Sequence, residues 1–451
     1  MKKEFAYRSF RGGVRACVLM GIAGSLASGA IAACGSDSGS PPADAGTDGL
    51  LWNPPPVLDA GDGGLRPMVS AGGKHACVIL EGNSVRCWGS NEQGELGNPP
   101  VQDLVDGGYS FDKSPVASPT PASVGQAISL ASGTGLYHNA TCAISASGQV
   151  QCWGDDTNGA LGRGDTSVSN ANRPHPEALP VVALPPSEQV ATNSSFSCAV
   201  SSGRVRCWGY NESVSMWTNT AGTYRSPVDI TLPQQRTALK LAMGQYHVCS
   251  LLDDATVACW GANAAGQLGV PPTSSPNPQP TIIPSLSGVA EVGAGQGTTC
   301  VRTVGGQIEC FGTNDNGLLG RELDQHALPG SSEPAAVHLP SGSIAIQLAT
   351  GFMHACALLS DGSVWCWGAN HLGELGSGQV QQGKMNPPAS PTPVKVQGLP
   401  TTAAYVSAGN ETTCAVLSDR SVMCWGDGLY GGLGKTPGDS SPQPVPTMIN
   451  F

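Results

Sequence analysis

Fourteen cysteines fall into seven close pairs: Cys77/Cys87, Cys142/Cys152, Cys198/Cys207, Cys249/Cys259, Cys300/Cys310, Cys356/Cys366 and Cys414/Cys424. Thiols at this spacing can oxidise to a disulfide across a hairpin or bind a soft metal as thiolates. Four copies add a histidine just before the first cysteine (His75, His138, His247, His354), and three copies lack it. One His and two Cys supply three ligands where a structural zinc site needs four, so no metal is expected. The recurring histidines read as packing or strand hydrogen bonding, and His175, His326, His338 and His371 are scattered between copies. A Gly-x-Ser-x-Gly elbow, a His-Glu-x-x-His helix and a phosphate loop ending Gly-Lys-Ser/Thr are all absent from the sequence. No catalytic residues and no cofactor are therefore expected.

The elements that position these pairs repeat with them. The clearest copy reads His354-Ala-Cys356-Ala-Leu-Leu, Asp361-Gly362, Val364-Trp-Cys366-Trp367-Gly368, then Asn370 and Gly373-Glu-Leu375-Gly376. First cysteines follow one another by 65, 56, 51, 51, 56 and 58 residues. Each copy holds three or four short strand-like runs split by Gly and Pro, and none is long enough for an amphipathic helix. A repeat of about 50 residues built from short strands marks a β-propeller, in which blades must stack because none buries both faces alone. The expected fold is all-β: a seven-bladed β-propeller with one four-stranded blade per repeat. Length alone would suggest about three domains; the repeats make one. The 61 Gly and 36 Pro of 451 residues are then the punctuation of blades. A strand-like lead follows the last copy, so residues 444–450 are expected to pair into the first blade, the ring being closed by the C-terminal strand. Pro54-Pro-Pro-Val57 is a weaker competitor for that slot.

The consensus Ala-Gly-x-x-His-x-Cys-Ala-Leu, Asp-Gly-x-Val-x-Cys-Trp-Gly, Asn-x-x-Gly-x-Leu-Gly resembles the regulator-of-chromosome-condensation repeat, over about residues 66–451. The resemblance implies a seven-bladed propeller. Two features depart from it: the paired cysteines, and a third copy that loses Gly-x-Leu-Gly and reads Asn211 to Tyr224 instead.

The first residues read as an address. Lys2, Lys3, Arg8, Arg11 and Arg15 precede an apolar stretch from Ala16 to Ala33, and Ile31-Ala-Ala-Cys34-Gly35 follows. A basic head, an apolar middle and a small-residue junction is the secretory layout. With Cys at the junction it resembles a bacterial lipoprotein signal. That implies cleavage before Cys34, lipidation of Cys34 and, with Gly35 next, sorting to the outer membrane. Residues 1–33 are thus a signal peptide, 34–66 a flexible Gly/Ser/Pro/Asp tether and 67–451 the propeller. Losing the signal's net +4 takes the formal charge from −11 to −15. An acidic chain with 12% charged residues lacks the basic surface that nucleic acid demands. In an exported chain the fourteen remaining cysteines, two per repeat with none left over, read as seven disulfides. Hairpin arithmetic agrees: Cys356 and Cys366 are centred on Asp361 in a three-residue Ser360-Asp361-Gly362 loop, so the two cysteines oppose each other. The third pair, spaced nine apart, moves to an even-numbered loop and keeps the opposition.

Function is expected where copies depart from the repeat. One departure is the insert from Asn98 to Ser118, with Tyr109 and Phe111. The other is the third-copy loop, with Tyr210, Trp217, Tyr224 and Arg225. Exposed Tyr, Trp and Arg are the residue types of binding hot spots. The chain reads as a monomeric, envelope-tethered scaffold that binds an envelope or extracellular protein or a glycan and touches the membrane only through its lipid. An enzyme with a loop-built site at the channel is the alternative. Guanine-nucleotide exchange, as in the family's namesake, is a minor one.

Overall fold

The computed structural model describes residues 68–99, 102–105, 108–111, 116–135, 139–164, 174–193, 195–211, 217–322, 330–379, 389–434 and 441–451. Signal, tether, Cys34 and Pro54–Val57 lie outside them.

Seven four-stranded antiparallel sheets form the ring. The first blade uses 68–71, 75–79, 85–89 and 116–121, and the sixth uses 345–350, 354–359, 364–368 and 390–395, from axis to rim. A separate two-stranded hairpin, 102–105 with 108–111, occupies the insert of the first blade. Second strands such as His354–Leu359 are buried end to end, because neighbouring blades cover both faces. That is why they read as continuous apolar runs rather than alternating ones. The outer strands carry the prolines, as in Ser390-Pro-Thr-Pro-Val-Lys395. They have a free edge that needs no N–H.

The cysteine pairs sit directly opposite in the second and third strands of every blade. Cys77 faces Cys87, Cys142 faces Cys152 and Cys198 faces Cys207. Cys249 faces Cys259, Cys300 faces Cys310, Cys356 faces Cys366 and Cys414 faces Cys424. Each pair stands at disulfide distance, with Cα atoms 4.0–4.1 Å apart. That is the close spacing of an antiparallel ladder, so no movement of the backbone is needed to bridge it. In the third blade a two-residue turn, Ser202 (φ 49°) and Gly203 (φ 71°), absorbs the shorter spacing between Cys198 and Cys207. Both residues being left-handed is the hairpin geometry that follows strand twist.

The hydrophobic core is not one mass but seven, each between consecutive blades. Trp208 of the third blade packs on Cys142, Cys152, Leu161 and Val181 of the second, and Trp425 of the seventh on Leu375 and Val396 of the sixth. The ring closes by the same contact, with Val69, Val78 and Trp88 of the first blade against Val422, Cys424, Leu433 and Ile449 of the seventh.

The expected closure by strand exchange is corrected. Residues 443–449 pair with 422–426 and complete the seventh blade, while 116–121 already fills the outer slot of the first. The C-terminal strand contributes to closure by packing: Ile449 joins the seam and Phe451 stands edge-on to Trp88, centroids 6.2 Å apart. A repeat copy starts at an inner strand and ends at an outer one, so copy and blade are in phase and no strand is left over.

Near the axis, blades touch backbone to backbone. Gly73 N–H donates to Gly133 O (2.7 Å), Phe352 N–H to Gly409 O (2.9 Å) and Asn410 N–H to Gly72 O (3.1 Å). Six blades carry glycine where this approach occurs: Gly72, Gly133, Gly244, Gly295, Gly351 and Gly409. A Cβ on any of them would lie within 3.0 Å of the next blade's carbonyl oxygen. The third blade has Asn193 instead, whose Nδ2 donates to Gly244 O at 2.9 Å. Lower in the channel, side chains tie strand to strand. The Gln347 amide pairs with both N–H and C=O of Val406. Glu291 accepts from Lys240, Arg302 and Leu348 N–H of three blades, each at 2.9 Å.

Gly409→Ala forces a methyl against the backbone of the first blade. We expect a loss of at least about 2 kcal/mol, read as a lower melting temperature. Gly125→Ala, where nothing lies within 4 Å of the added carbon, should leave melting unchanged or slightly raised.

Candidate functional site

All inner strands run the same way, so two sets of loops share one end of the channel, here the upper face. They are the turns between inner and second strands (72–74, 244–246, 351–353, 409–411) and the loops after Trp-Gly (90–97, 262–269, 369–376, 427–434).

The Gly-x-Leu-Gly loops are clamps between blades. Their leucine is buried, and in five of them its N–H is donated to an Asn or Asp oxygen five residues earlier, as Leu96 to Asn91 (3.1 Å) and Leu375 to Asn370 (3.2 Å). The carbonyl of x then accepts from the next blade. Glu95 O takes Trp153 Nε1 (2.9 Å) and Thr141 Oγ1 (3.0 Å), and Glu374 O takes Trp425 Nε1 and Thr413 Oγ1 (both 2.8 Å). Trp88 Nε1 to Gly432 O (2.8 Å) completes the circle. Two blades are exceptions: Phe311 of the fifth has no N–H to give, and the buried Nε1 of Trp260 has no partner among the described residues, the loop it faces belonging to the divergent third copy.

The histidines extend the clamp. Nε2 of His75, His247 and His354 lies 2.7–2.8 Å from the hydroxyl of Thr141, Thr299 and Thr413 in the following blade. Each threonine already donates to a carbonyl, so the histidine must donate, which assigns the proton to Nε2. Burial pushes all three rings down to about 4. They are neutral scaffold groups, as the recurrence implied. His138 is not their equivalent and lies outside the described residues. Ala140 opposes Gly154 as His75 opposes Gly89, so three blades carry this histidine, not four.

The cysteines form no site at the channel. Cys87, Cys152, Cys207, Cys259, Cys310, Cys366 and Cys424 are all fully buried in the third strands, as are their partners in the second. Nothing in solution reaches a sulfur without opening a blade.

The third-copy loop is corrected as well. Trp217 is only 3% exposed. It packs on Phe196 and Tyr224, with centroids 6.3 and 5.1 Å away, and donates its backbone N–H to Asn211 Oδ1 at 3.2 Å. That is the leucine's position, reached with one extra residue. Tyr224 turns its hydroxyl onto Thr220 O (2.9 Å), and Arg225 pairs with Asp156 of the second blade (3.3 Å). These residues hold blades together rather than stand out as anchors. Tyr210 is half-buried at the end of its strand, its N–H on Ser195 O (2.9 Å). Tyr109 and Phe111 lie on the insert hairpin, of which only the backbone is described.

Sequence reasoning missed an acidic seam on the upper face between blades six, seven and one. Burial, with Glu411 and Asp427 adding to it, raises Glu374 to about 7, and burial raises Glu411 and Asp427 too. Lys74 of the first blade approaches it with its ammonium 4.4 Å from the Tyr430 ring centroid. The seam can hold a proton at neutral pH and favours a cation. Its only trace in the sequence was Glu in Gly-Glu-Leu-Gly, shared with Glu95, which merely accepts Ser90 Oγ (2.6 Å) and Gln93 N–H (2.7 Å) to brace its own loop. Among the described residues no three His, Cys, Asp or Glu side chains come together as metal ligands.

Ring, blade and clamp define the class. The sequence profile of the RCC1-like domain matches residues 113–451, and that of the RCC1 repeat matches residues 69–95. The chain belongs to the RCC1-like domain family. It is similar to the ultraviolet-B receptor UVR8 of Arabidopsis thaliana, 29% identical over 85% of this chain and 81% of that one. It is also similar to the guanine nucleotide exchange factor SRM1 of Saccharomyces cerevisiae, 25% identical over 83% and 84%. Among solved structures, yeast RCC1 (Prp20) bound to Kap60 superimposes with a TM-score of 0.69 at 23% identity over 81% of this chain and 83% of that one. Human WBSCR16 gives 0.67 at 20% identity over 82% and 94%.

Two outcomes follow. Trp217→Ala should cost about 3 kcal/mol or more through the cavity it leaves, while Trp217→Leu, which restores the repeat residue, should cost less than half of that; urea unfolding separates them. The second concerns pH. A buried ring at about 4 stays neutral in the fold while the unfolded ring, near 6.5, takes up a proton. Its contribution is full above pH 6.5 and is lost as pH falls toward 4. Glu374, raised to about 7 from 4.5, works oppositely: its stabilisation is full below 4.5 and is lost as pH rises through 7. His354→Gln should therefore flatten the fall in stability between pH 6.5 and 4.5 by about 2 kcal/mol at pH 5 relative to the parent.

Proposed function

We infer that the protein is a non-catalytic binding scaffold, exported and held at the cell envelope through lipid on Cys34, whose upper-face loops engage an envelope or extracellular protein or a glycan. One observation carries this: the chemistry-bearing side chains shared by the repeats are spent on blade-to-blade bonds. His75, His247 and His354 serve threonines, Glu95 braces its loop and Glu291 binds two cations and an N–H. Little is left for turnover, and much loop surface is left for contact. Seven buried cysteine pairs, one per blade, suit seven disulfides and an oxidising compartment. The acidic seam at Glu374, Glu411 and Asp427 favours a partner that presents positive charge.

Support from relatives is limited to mode. One solved structure is of yeast RCC1 with Kap60 bound. A second is of Prp20p from Saccharomyces cerevisiae, a protein with binding properties to Gsp1p and histones. Those are protein partners of propellers with this ring. Guanine-nucleotide exchange is the second reading, favoured by similarity to SRM1.

The test is fractionation and capture. Protein made in a bacterium with its leader should sediment with membranes and show no free thiol before reduction, and Cys34→Ala should release it to the soluble fraction. The mature body should capture a partner from envelope extract, weakened at least about tenfold by a Glu411→Lys/Asp427→Lys pair. Fourteen reactive thiols, or nucleotide release from a small GTPase with no envelope partner, would overturn the reading.

A further inference from the structure

The end of the channel opposite the clamps carries aliphatic side chains in water. Val304 is 64% exposed, Ile344 52%, Ile346 50% and Ile128 38%. They are joined by position. Val304 lies in the turn between second and third strands of the fifth blade, its N–H on Gly288 O (2.9 Å). Gly306 of the same turn packs beside Ile344 of the sixth blade. Ile128 and Ile346 are the second residues of inner strands in blades two and six, at the register shifts with which those strands begin. All inner strands start at this face, so the four lie at one end of the ring, with Ile344 beside the Val304 turn and Ile128 on the blade-two side. Solvated β-branched residues grouped on a rigid surface mark a contact that something else completes.

The chain reaches that mouth from outside the propeller. The first inner strand begins at Met68, on the same face. Ten residues before it stands Leu50-Leu51-Trp52-Asn53-Pro54-Pro55-Pro56-Val57-Leu58, an apolar run between Asp48 and Asp59 in an otherwise polar tether. It carries no charge, whereas a tether that only spaces the body from its anchor has no use for Leu, Trp and Val. Ten residues span at most about 33–36 Å, enough to cross the mouth from the first blade to the sixth. A triple proline favours an extended chain before docking, which lowers the entropy lost on binding. The fourth-strand slot of the first blade is filled by 116–121, so the segment is not needed there.

We propose that residues 50–58 dock on the lower mouth, covering Ile128, Val304, Ile344 and Ile346. This stands apart from the identity of any partner. The experiment replaces Trp52 with a photoreactive benzoylphenylalanine in the mature chain, irradiates dilute protein and maps the cross-linked peptides. The expected product is intramolecular, joins residue 52 to the 304 or 344–346 region, and falls about tenfold or more in an Ile344→Asp/Ile346→Asp variant with unchanged melting temperature. Should that variant melt early, Val304→Asp is measured in its place. Adducts spread over the surface, a yield that rises with protein concentration (a second copy), capture of lipid when vesicles are present, or indifference to the substitutions would each overturn the proposal. Failure of envelope capture would leave it standing.

Discussion

Seven strands converge on one axis closely enough for the backbone of each blade to meet the backbone of the next. Glycine at the end of the inner strand is what that distance requires. A side chain there would occupy the place of a neighbouring carbonyl, and the loss could not be confined to one seam, because the contacts run in a circle. Moving one blade outward breaks two seams and strains the rest. The single blade without this glycine, the third, solves the problem differently: Asn193 sends a side-chain amide where the others send backbone. The tryptophan clamps act farther out at the same seams, so axis and mid-blade are fixed together.

Recurrence of pattern between copies therefore has a physical meaning in this chain. Gly, His, Thr, Trp and the loop leucine recur because each serves the blade before or after it. A residue that recurs around the ring cannot at the same time single out one ligand, since a ring of near-equal blades would offer near-equal sites. Recognition must come from what differs between copies, and the acidic seam between blades six and one is such a difference. Carboxylates at Glu374, Glu411 and Asp427 crowd one sector of an otherwise bracing surface, and burial raises the pKa of each.

Local features were readable and phase was not. The cysteine pairs, their opposition and the even-numbered turn of the third blade follow from strand arithmetic over about ten residues, where only hairpin geometry matters. Cys198 and Cys207 stay opposed at a spacing of nine for the same reason that Cys249 and Cys259 do at ten. Blade number follows from counting. Closure did not, because period says nothing of where a repeat begins. The Pro-rich segments could belong to the copy before or after them, and only the pairing of 443–449 with 422–426 decides. Trp217 was misread for a related reason. One extra residue after Asn211 hid its alignment with Leu96 or Leu375, and a tryptophan in a divergent loop resembles an exposed anchor until its ring is found on Phe196. His138 erred in the other direction: being near a cysteine is not being in register with one.

Membership of the RCC1-like family transfers the ring but not the task, and the clamp chemistry says why. Identity of 25–29% to UVR8 and SRM1 is spread over chains of similar extent. The residues that close the seams fix the ring, and their side chains are taken up by the neighbouring blade. The paired cysteines are structural too. A cysteine pair in every blade stands between the second strand and the third inside the buried layer, where each pair is already held by packing on both sides. Once oxidised, its main effect falls on the unfolded chain, which loses freedom at seven short loops, rather than on the shape of the ring. Oxidised pairs would hold the second strand to the third and leave the inner and outer strands of each blade to ladder bonds and packing. The insert after the first copy and the carboxylates of the acidic seam lie outside the Trp clamps and the axial glycines, so they can diverge without loss of the fold.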